Sequence, residues 1–224
     1  MKIKFAIIGF GHIGRKHYNM ILGNVEAEVV AICDPYLEEE SVDGIPVFKD
    51  IEQMLISMPQ IDVVNICTPN GLHAEQSIIC INHGKHVVVE KPMSLTKKDA
   101  ENVIFHALNK HVKIFCVMQN RYTANAQFLK HLIVNNQLGN VKEVVVNLFW
   151  NRDKRYYFSG EGLQHAWRGN ANKDGGPLFT QFSHFVDLLY WLFGDLSITS
   201  SQISNLSHDY VPDIEDNGIF TFKT

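Results

Sequence analysis

The sequence predicts an α/β protein in which a doubly wound parallel sheet is followed by an α+β domain. Three observations carry this. Apolar runs of strand length alternate with amphipathic stretches through the first half of the chain, a glycine-rich turn joins the first run to a helix, and the alternation breaks down after about Asn120. Runs apolar on both faces and joined by helices belong to a sheet covered on both sides. Right-handed connections then make that sheet doubly wound, with its ligand beyond the carboxyl ends of the strands.

The first run, Ile3-Lys4-Phe5-Ala6-Ile7-Ile8, leads directly into Gly9-Phe10-Gly11-His12-Ile13-Gly14. A helix-compatible stretch follows, and Val29-Val30-Ala31-Ile32-Cys33 then ends on Asp34. Gly9 lets the chain turn off the strand, Gly11 lets backbone approach a pyrophosphate, and Gly14 lets the helix pack close to the sheet. The helix N-terminus offers N–H groups and a partial positive charge to phosphates. A glycine pattern alone is weak evidence. Strand, turn, helix, strand and terminal acid in this order read as a dinucleotide site lined by all six residues of the turn. Asp34 can accept hydrogen bonds from both adenosine ribose hydroxyls and would repel a 2′-phosphate, which favours NAD over NADP. A solvated turn acid before Pro35 is the alternative.

Further along, Ile61 to Ile66 reads as a strand, 71–82 as a helix, His86 to Val89 as a strand, 96–110 as a helix and Val112 to Val117 as a strand. These complete a first, Rossmann-type domain over 1–119. In a second domain, 120–224, residues 124–135 read as a helix and Val141 to Trp150 as a longer strand with partial alternation. Residues 151–174 are polar and aromatic without a period, about 178–193 is helical, and 196–204 and 217–223 are strand-like. The last strand has no element after it, so it is expected to belong to an incomplete sheet or to pair with another subunit.

Composition narrows the function classes. A formal net charge of −4 without a basic block argues against a nucleic-acid surface. Cys33, Cys67, Cys80 and Cys116 form no CxxC pair, so buried reduced thiols and no metal site are expected. The first apolar run is short for a signal peptide and no run reaches membrane-span length, so a soluble cytoplasmic protein is expected.

Three segments join the glycine turn: Cys67-Thr68-Pro69-Asn70-Gly71-Leu72-His73, Glu90-Lys91-Pro92, and Gly175-Gly176-Pro177-Leu178 followed by His184-Phe185-Val186-Asp187. In this order they resemble the Gfo/Idh/MocA oxidoreductase family along the whole chain. The resemblance implies a Rossmann domain followed by an α+β domain whose open, mostly antiparallel sheet often joins subunits, hence a homo-oligomer. Members are typically longer, so the rest of that sheet is expected to be missing here.

Lys91 ends a buried strand, where a doubly wound sheet presents its ligands. Its ammonium can polarise a substrate hydroxyl, and partial burial can lower its pKa toward use as a base. An exposed loop lysine is the common alternative; Glu90 and Pro92 match the family motif and imply the catalytic role. His184 shares a helix face with Asp187 and can take a hydroxyl proton as neutral imidazole. A hydrogen-bonded core histidine is the competing reading, and the resemblance implies catalysis. Thr180 stands where many members carry an acid, four residues before that histidine. A hydroxyl can hydrogen-bond a sugar but cannot relay a proton as a carboxylate does.

Thr68, Pro69, Asn70 and His73 match the loop that passes the nicotinamide and its ribose, with Glu90 and Lys91 beside it; a Pro-Asn-Gly turn also explains that loop. Arg121, Trp167 and Arg168 match positions near the cofactor. Arg168 would place a guanidinium on phosphate or amide oxygen, or is an exposed arginine packed on tryptophan. The run Trp150 to Tyr157 is similar to members acting on nucleotide-linked sugars. Arg152 and Arg155 can bind a diphosphate or carboxylate and Tyr156 can stack on a ring, while a solvated loop with aromatic anchors fits equally. The implied activity is NAD-dependent oxidation of a secondary alcohol in a sugar or sugar nucleotide, at best a UDP-linked N-acetylated hexose or its uronic acid, as in surface-polysaccharide synthesis. Inositol or a free sugar is the alternative substrate, and an NAD(H)-binding regulator or a structural partner the alternative class.

Asp34 generates the first prediction. Calorimetry should find NAD bound more tightly than NADP, and Asp34→Ala should narrow the gap. Equal affinities in the unaltered protein would contradict the ribose role.

Overall fold

The computed structural model describes residues 1–158 and 167–224, and the chain divides into two units, Met1–Val117 and Met118–Thr224. The first is built around β1 (Ile3–Ile8), which pairs in parallel with β2 (Ala27–Cys33) on one side and β5 (Val63–Ile66) on the other. Beyond β2 lies β4 (Ile45–Phe48); beyond β5 lie β6 (His86–Val89) and β7 (Ile114–Cys116). These six strands are parallel, and the short β3 (Ser41–Val42) closes the outer edge antiparallel to β4. Because β1 is central and the chain steps outward first one way and then the other, a doubly wound sheet results, as the alternation predicts.

Helix α1 (His12–Leu22) packs on one face through Tyr18 and Ile21, over Ile7, Val29 and Ile32. Helices α2 (Ile51–Ser57), α3 (His73–Asn82) and α4 (Lys97–Asn109) cover the other face, where Met54, Cys80, Ile81 and Val103 meet Val64, Ile66, Val87 and Val89. The strands expected at 61–66 and 112–117 are shorter here, and the expected helices at 71–82 and 96–110 begin one or two residues later. Two features lie outside that reading altogether: the β3–β4 hairpin, turned by Asp43 and Gly44 at φ 52° and 79°, and α2, capped by the Asp50 carboxylate on the Gln53 N–H.

In the second unit α5 (Ala124–Val134) follows a 3₁₀ turn at Gln119–Tyr122, α6 (Lys154–Phe158) is short, and a π-helical turn at Leu178–Phe182 runs into α7 (Ser183–Phe193). Strands β8 (Ser197–Ser204) and β9 (Asn217–Lys223) form an antiparallel pair, so the terminal strand finds its partner within the chain. The strand expected at Val141 to Trp150 does not form. Among the described residues no neighbouring strand takes up its backbone groups, and Val145 and Phe149 remain 70% and 92% exposed. Apolar alternation marks a strand only where a sheet edge receives it.

Helix α1 closes tightly on the turn before it. A Cβ on Gly14 would sit 2.0 Å from the Gly9 carbonyl oxygen, whereas a Cβ on Gly11 would meet nothing within 4 Å. Gly14→Ala should therefore cost about 1–3 kcal/mol or more of stability by overpacking. Gly11→Ala should change stability by no more than about 0.5 kcal/mol and act on dinucleotide affinity instead. Thermal melts of the two variants check this, and equal destabilisation would refute it.

Candidate active site

Four adjacent parallel strands, β2, β1, β5 and β6, bring their carboxyl ends to one edge of the sheet. That edge gathers the turn Gly9–Gly14, Asp34, the loop from Thr68 to His73, and Glu90-Lys91. Gly9 has φ +84°, and a Cβ there would strike the Cys67 backbone at 2.9 Å. The Asp34 carboxylate spans the turn: one oxygen accepts the Phe10 N–H at 2.7 Å and the other the Tyr36 N–H at 2.9 Å. A carboxylate has about four acceptor positions, so each oxygen retains one for a ribose hydroxyl. The Phe10 ring itself is buried against Tyr18, so its contribution at the turn is backbone. His12 and Ile13 are exposed in the first turn of α1.

These residues fit a dinucleotide. Helices α2, α4 and α5 start on Asp50, Thr96 and Thr123, whose side chains accept an N–H of the first turn. Helix α1 starts on Gly11 with no side-chain cap and no acid in its first turn. Its terminal N–H groups and the open space over Gly11 suit a pyrophosphate.

His73 behaves differently from its neighbours in the loop. It is fully buried, with Nδ1 2.7 Å from the Pro92 carbonyl oxygen and Nε2 2.8 Å from that of Thr68. Burial pulls its pKa down, against the pull of those two carbonyls and of Glu90. It serves the edge by tying the loop after β5 to the Glu90-Lys91-Pro92 turn, in which the Lys91–Pro92 peptide is cis. Thr68 donates its hydroxyl to Gln76 at 2.6 Å, and Asn70 is buried in the 3₁₀ turn leading into α3. Burial also pushes the Cys33 and Cys80 thiols up to about 12 and that of Cys67 higher, which keeps them protonated.

The sequence reading overlooked His17 and Asn65. His17 Nε2 lies 2.9 Å from Glu90 Oε1, and its Nδ1 lies 2.9 Å from Asn65 Nδ2. The other Glu90 oxygen accepts the Lys91 N–H at 3.2 Å. Burial works to raise the Glu90 pKa, but the His17 hydrogen bond and charge, with the Lys91 N–H and ammonium, outweigh it and hold the carboxyl below its ordinary range. A signal existed: His17 follows Gly14 by three residues, on the side of the helix that faces the sheet.

In the second unit, His184 stands in the first turn of α7, with Thr180 in the π-helical turn before it. The Thr180 hydroxyl donates to the Gly176 carbonyl at 3.1 Å, and Glu215 accepts the Leu178 N–H at 2.8 Å at the start of this helical run. Asp187 is held by Arg121 through two hydrogen bonds, from Nε at 2.7 Å and from Nη2. That bond raises the Arg121 pKa.

The Trp150–Tyr157 run is resolved into two parts. Arg155 is 87% exposed and pairs with Asp153. The Arg152 guanidinium lies 4.6 Å from the ring centres of both Trp150 and Tyr156, and Arg168 lies 4.6 Å from Tyr156 and 5.6 Å from Trp167. Sequence reading put Arg168 and Arg152 at different ligands; here they share Tyr156. Behind them His208 gives both ring nitrogens to acceptors, Asp216 at 2.7 Å and the Arg152 carbonyl at 2.5 Å. Both nitrogens must donate, which requires imidazolium. Accordingly the Asp216 hydrogen bond raises the His208 pKa, and although burial opposes it, the His208 bond helps hold Asp216 far below the carboxylate range.

Fold and strand-end residues together define a dinucleotide-binding Rossmann unit joined to an α+β unit. The chain belongs to the Gfo/Idh/MocA oxidoreductase family: residues 3–118 match the oxidoreductase family with NAD-binding Rossmann fold, and residues 126–224 match the GFO/IDH/MocA C-terminal domain. NAD is the cofactor of this class of domain. The crystal structure of the WlbA dehydrogenase from Bordetella pertussis in complex with NADH and UDP-GlcNAcA is similar over 99% of this chain and 63% of that one, with TM-score 0.91 and 33% identity. Two Bacillus subtilis (strain 168) relatives are glucose-6-phosphate 3-dehydrogenase, 28% identical over 88% of this chain and 56% of its own length, and scyllo-inositol 2-dehydrogenase (NADP(+)), 30% identical over 86% and 52%. The chain thus spans little more than half the length of these curated relatives. Among the described residues, no helix is long and apolar enough to cross a membrane.

The His208–Asp216 pair sets a pH dependence. A histidine whose folded pKa is raised contributes fully below its ordinary value of 6.5, and that contribution is lost as pH rises through the folded value. The depressed Asp216 contributes above its ordinary 3.8 and is lost only in strong acid. Thermal melts from about pH 6 to pH 8 should fall more steeply for the unaltered protein than for His208→Asn. Parallel curves would contradict the imidazolium assignment.

Proposed function

We propose that the protein is an NAD-dependent dehydrogenase acting on a secondary alcohol of a sugar nucleotide, at best a UDP-linked N-acetylhexosamine or its uronic acid. The observation that carries this reading is the match to WlbA over 99% of the chain at 33% identity, a protein crystallised with NADH and UDP-GlcNAcA. Bound NAD supplies the hydride acceptor. The protein supplies orientation and proton transfer.

In this reading Lys91 hydrogen-bonds the reacting hydroxyl and lowers the cost of its ionisation, and His184 accepts the proton as the C–H hydride leaves. The Asp34 carboxylate and the uncapped α1 terminus hold the adenosine ribose and pyrophosphate. Arg168 and Arg121 are assigned, by family resemblance, to the cofactor side. Arg152, stacked on Tyr156, is free of any carboxylate pairing among the described contacts and suits a phosphate or uronate oxygen. Thr180 hydrogen-bonds substrate rather than relaying a proton. A second reading, an inositol or free-sugar dehydrogenase, is favoured by the 30% identity to scyllo-inositol 2-dehydrogenase.

A screen of UDP-sugars, free sugars and inositols, followed by NADH absorbance, separates the two. On the substrate found, Lys91→Met should lower turnover by roughly 10²–10⁴-fold, the usual worth of a positioned acid or base, with NAD affinity nearly intact. His184→Asn should lower turnover and alter its pH profile. Unchanged turnover in Lys91→Met would overturn the mechanism and leave the NAD-binding assignment standing.

A further inference from the structure

We propose that His17 is a positioning residue for Lys91, acting through Glu90. The proposal rests on the reading of Lys91 as the hydroxyl-binding lysine. Its basis is a polar bridge inside the first unit. His17 and Glu90 are only 12% and 14% exposed, and Asn65 is 4% exposed. Asn65 lies on β5, opposite Ile7 of β1 and Val88 of β6, so it stands mid-sheet among apolar residues. Helix α1 therefore reaches across β1 and β5 to the end of β6 through one imidazole. Both Glu90 oxygens are used: one faces His17, the other accepts the peptide N–H of Lys91 itself.

Apolar side chains of similar size would fill this space without desolvating a carboxylate, which costs several kcal/mol unless it is hydrogen-bonded and paired. The polar trio stands one peptide from Lys91, at the ligand edge. If Glu90 lost its partner it would protonate or turn toward water, and the Lys91 peptide would lose its acceptor. A displacement of about 1 Å at a reacting group can cost on the order of 10²-fold in rate.

The bond to Glu90 survives a change of protonation at His17. With Asn65 Nδ2 donating, Nδ1 accepts and the ring is the neutral Nε2–H tautomer. With the amide turned over, Nδ1–H donates and the ring is imidazolium. Nε2–H points to Glu90 in both. Around Glu90 the other titratable groups are Cys67 at the end of β5, His73 of α3 and the adjacent Lys91. Burial keeps the Cys67 thiol protonated and pulls the His73 pKa down. The His17 ring and the Lys91 N–H, with the charges of both residues, are what hold this carboxylate.

The test compares His17→Leu with His17→Gln, whose amide nitrogen can take the place of Nε2. His17→Leu should lower kcat about 10–10²-fold with little change in KM. It should also move the acid limb of the kcat/KM profile to higher pH, because Glu90 loses a donor. His17→Gln should recover most of kcat and restore the acid limb. Melting temperature and NADH affinity are measured for each variant. An unmoved acid limb in His17→Leu, or equal loss in the Gln and Leu variants, would overturn the role while Lys91→Met is inactive. A fully active Lys91→Met would instead remove the reading of Lys91, and this proposal with it.

Discussion

The first unit depends on one close approach, the seat of Gly14 against the carbonyl of Gly9. With no side chain between them, α1 lies directly on the turn that precedes it, and its rotation about its own axis is set. Everything the helix presents inward then has a fixed address. Tyr18 donates to Asp43 in the β3–β4 turn at 2.7 Å, Ile21 enters the apolar layer over β1 and β2, and His17 meets Glu90 at the end of β6. The carboxylate of Asp34 fixes the other end of the same turn through the Phe10 N–H. One glycine contact thus places the uncapped α1 terminus, the Asp34 carboxylate and the His17–Glu90 bond in a single arrangement.

The second unit uses polar clamps where the first uses apolar layers. Its small buried cluster is Tyr157, Val211 and Ile214. Asn205 donates to the carbonyls of His208, Val211 and Ile214, and Asp216 receives the N–H groups of Leu206 and Ser207 as well as the His208 ring. Gly169, at φ +77°, passes so close to Val211 that a Cβ would sit 2.6 Å from its Cγ1. Trp167 and Arg168 therefore leave this cluster in a defined direction, with Arg168 against Tyr156.

What was legible in the sequence was what local chemistry enforces. The glycine turn, the buried strands β1, β2, β5 and β6, and helices α3, α4, α5 and α7 each carry a periodicity or a cap that needs no distant partner. The β3–β4 hairpin carried a signal too, the Asp43-Gly44 pair that suits a tight hairpin turn, but its strands are too short for a period to register. Residues 141–150 fail in the opposite sense. Their alternation is partial, and a strand is a relation between two segments; among the described residues none pairs with them. Polar pairs such as His17 with Glu90, Arg121 with Asp187 and His208 with Asp216 join residues 73, 66 and 8 positions apart. No spacing rule links such residues, so the fold alone discloses them. The roles of Lys91 and His184 were drawn from ordered family motifs, and their geometry adds the support beneath Lys91.

Charge is distributed unevenly around that lysine. Of the groups at the end of β5 and the start of α3, the Cys67 thiol is held protonated and His73, fully buried, has its pKa drawn down. Glu90 is the exception, kept ionised in spite of its burial. That carboxylate accepts the Lys91 N–H and faces His17, so it holds the peptide from which the lysine side chain springs. In the second unit the Thr180 hydroxyl is bonded to the Gly176 carbonyl and cannot relay a proton as an acid would. The proposed division of labour, Lys91 on the hydroxyl oxygen and His184 on its proton, therefore needs no relay through Thr180.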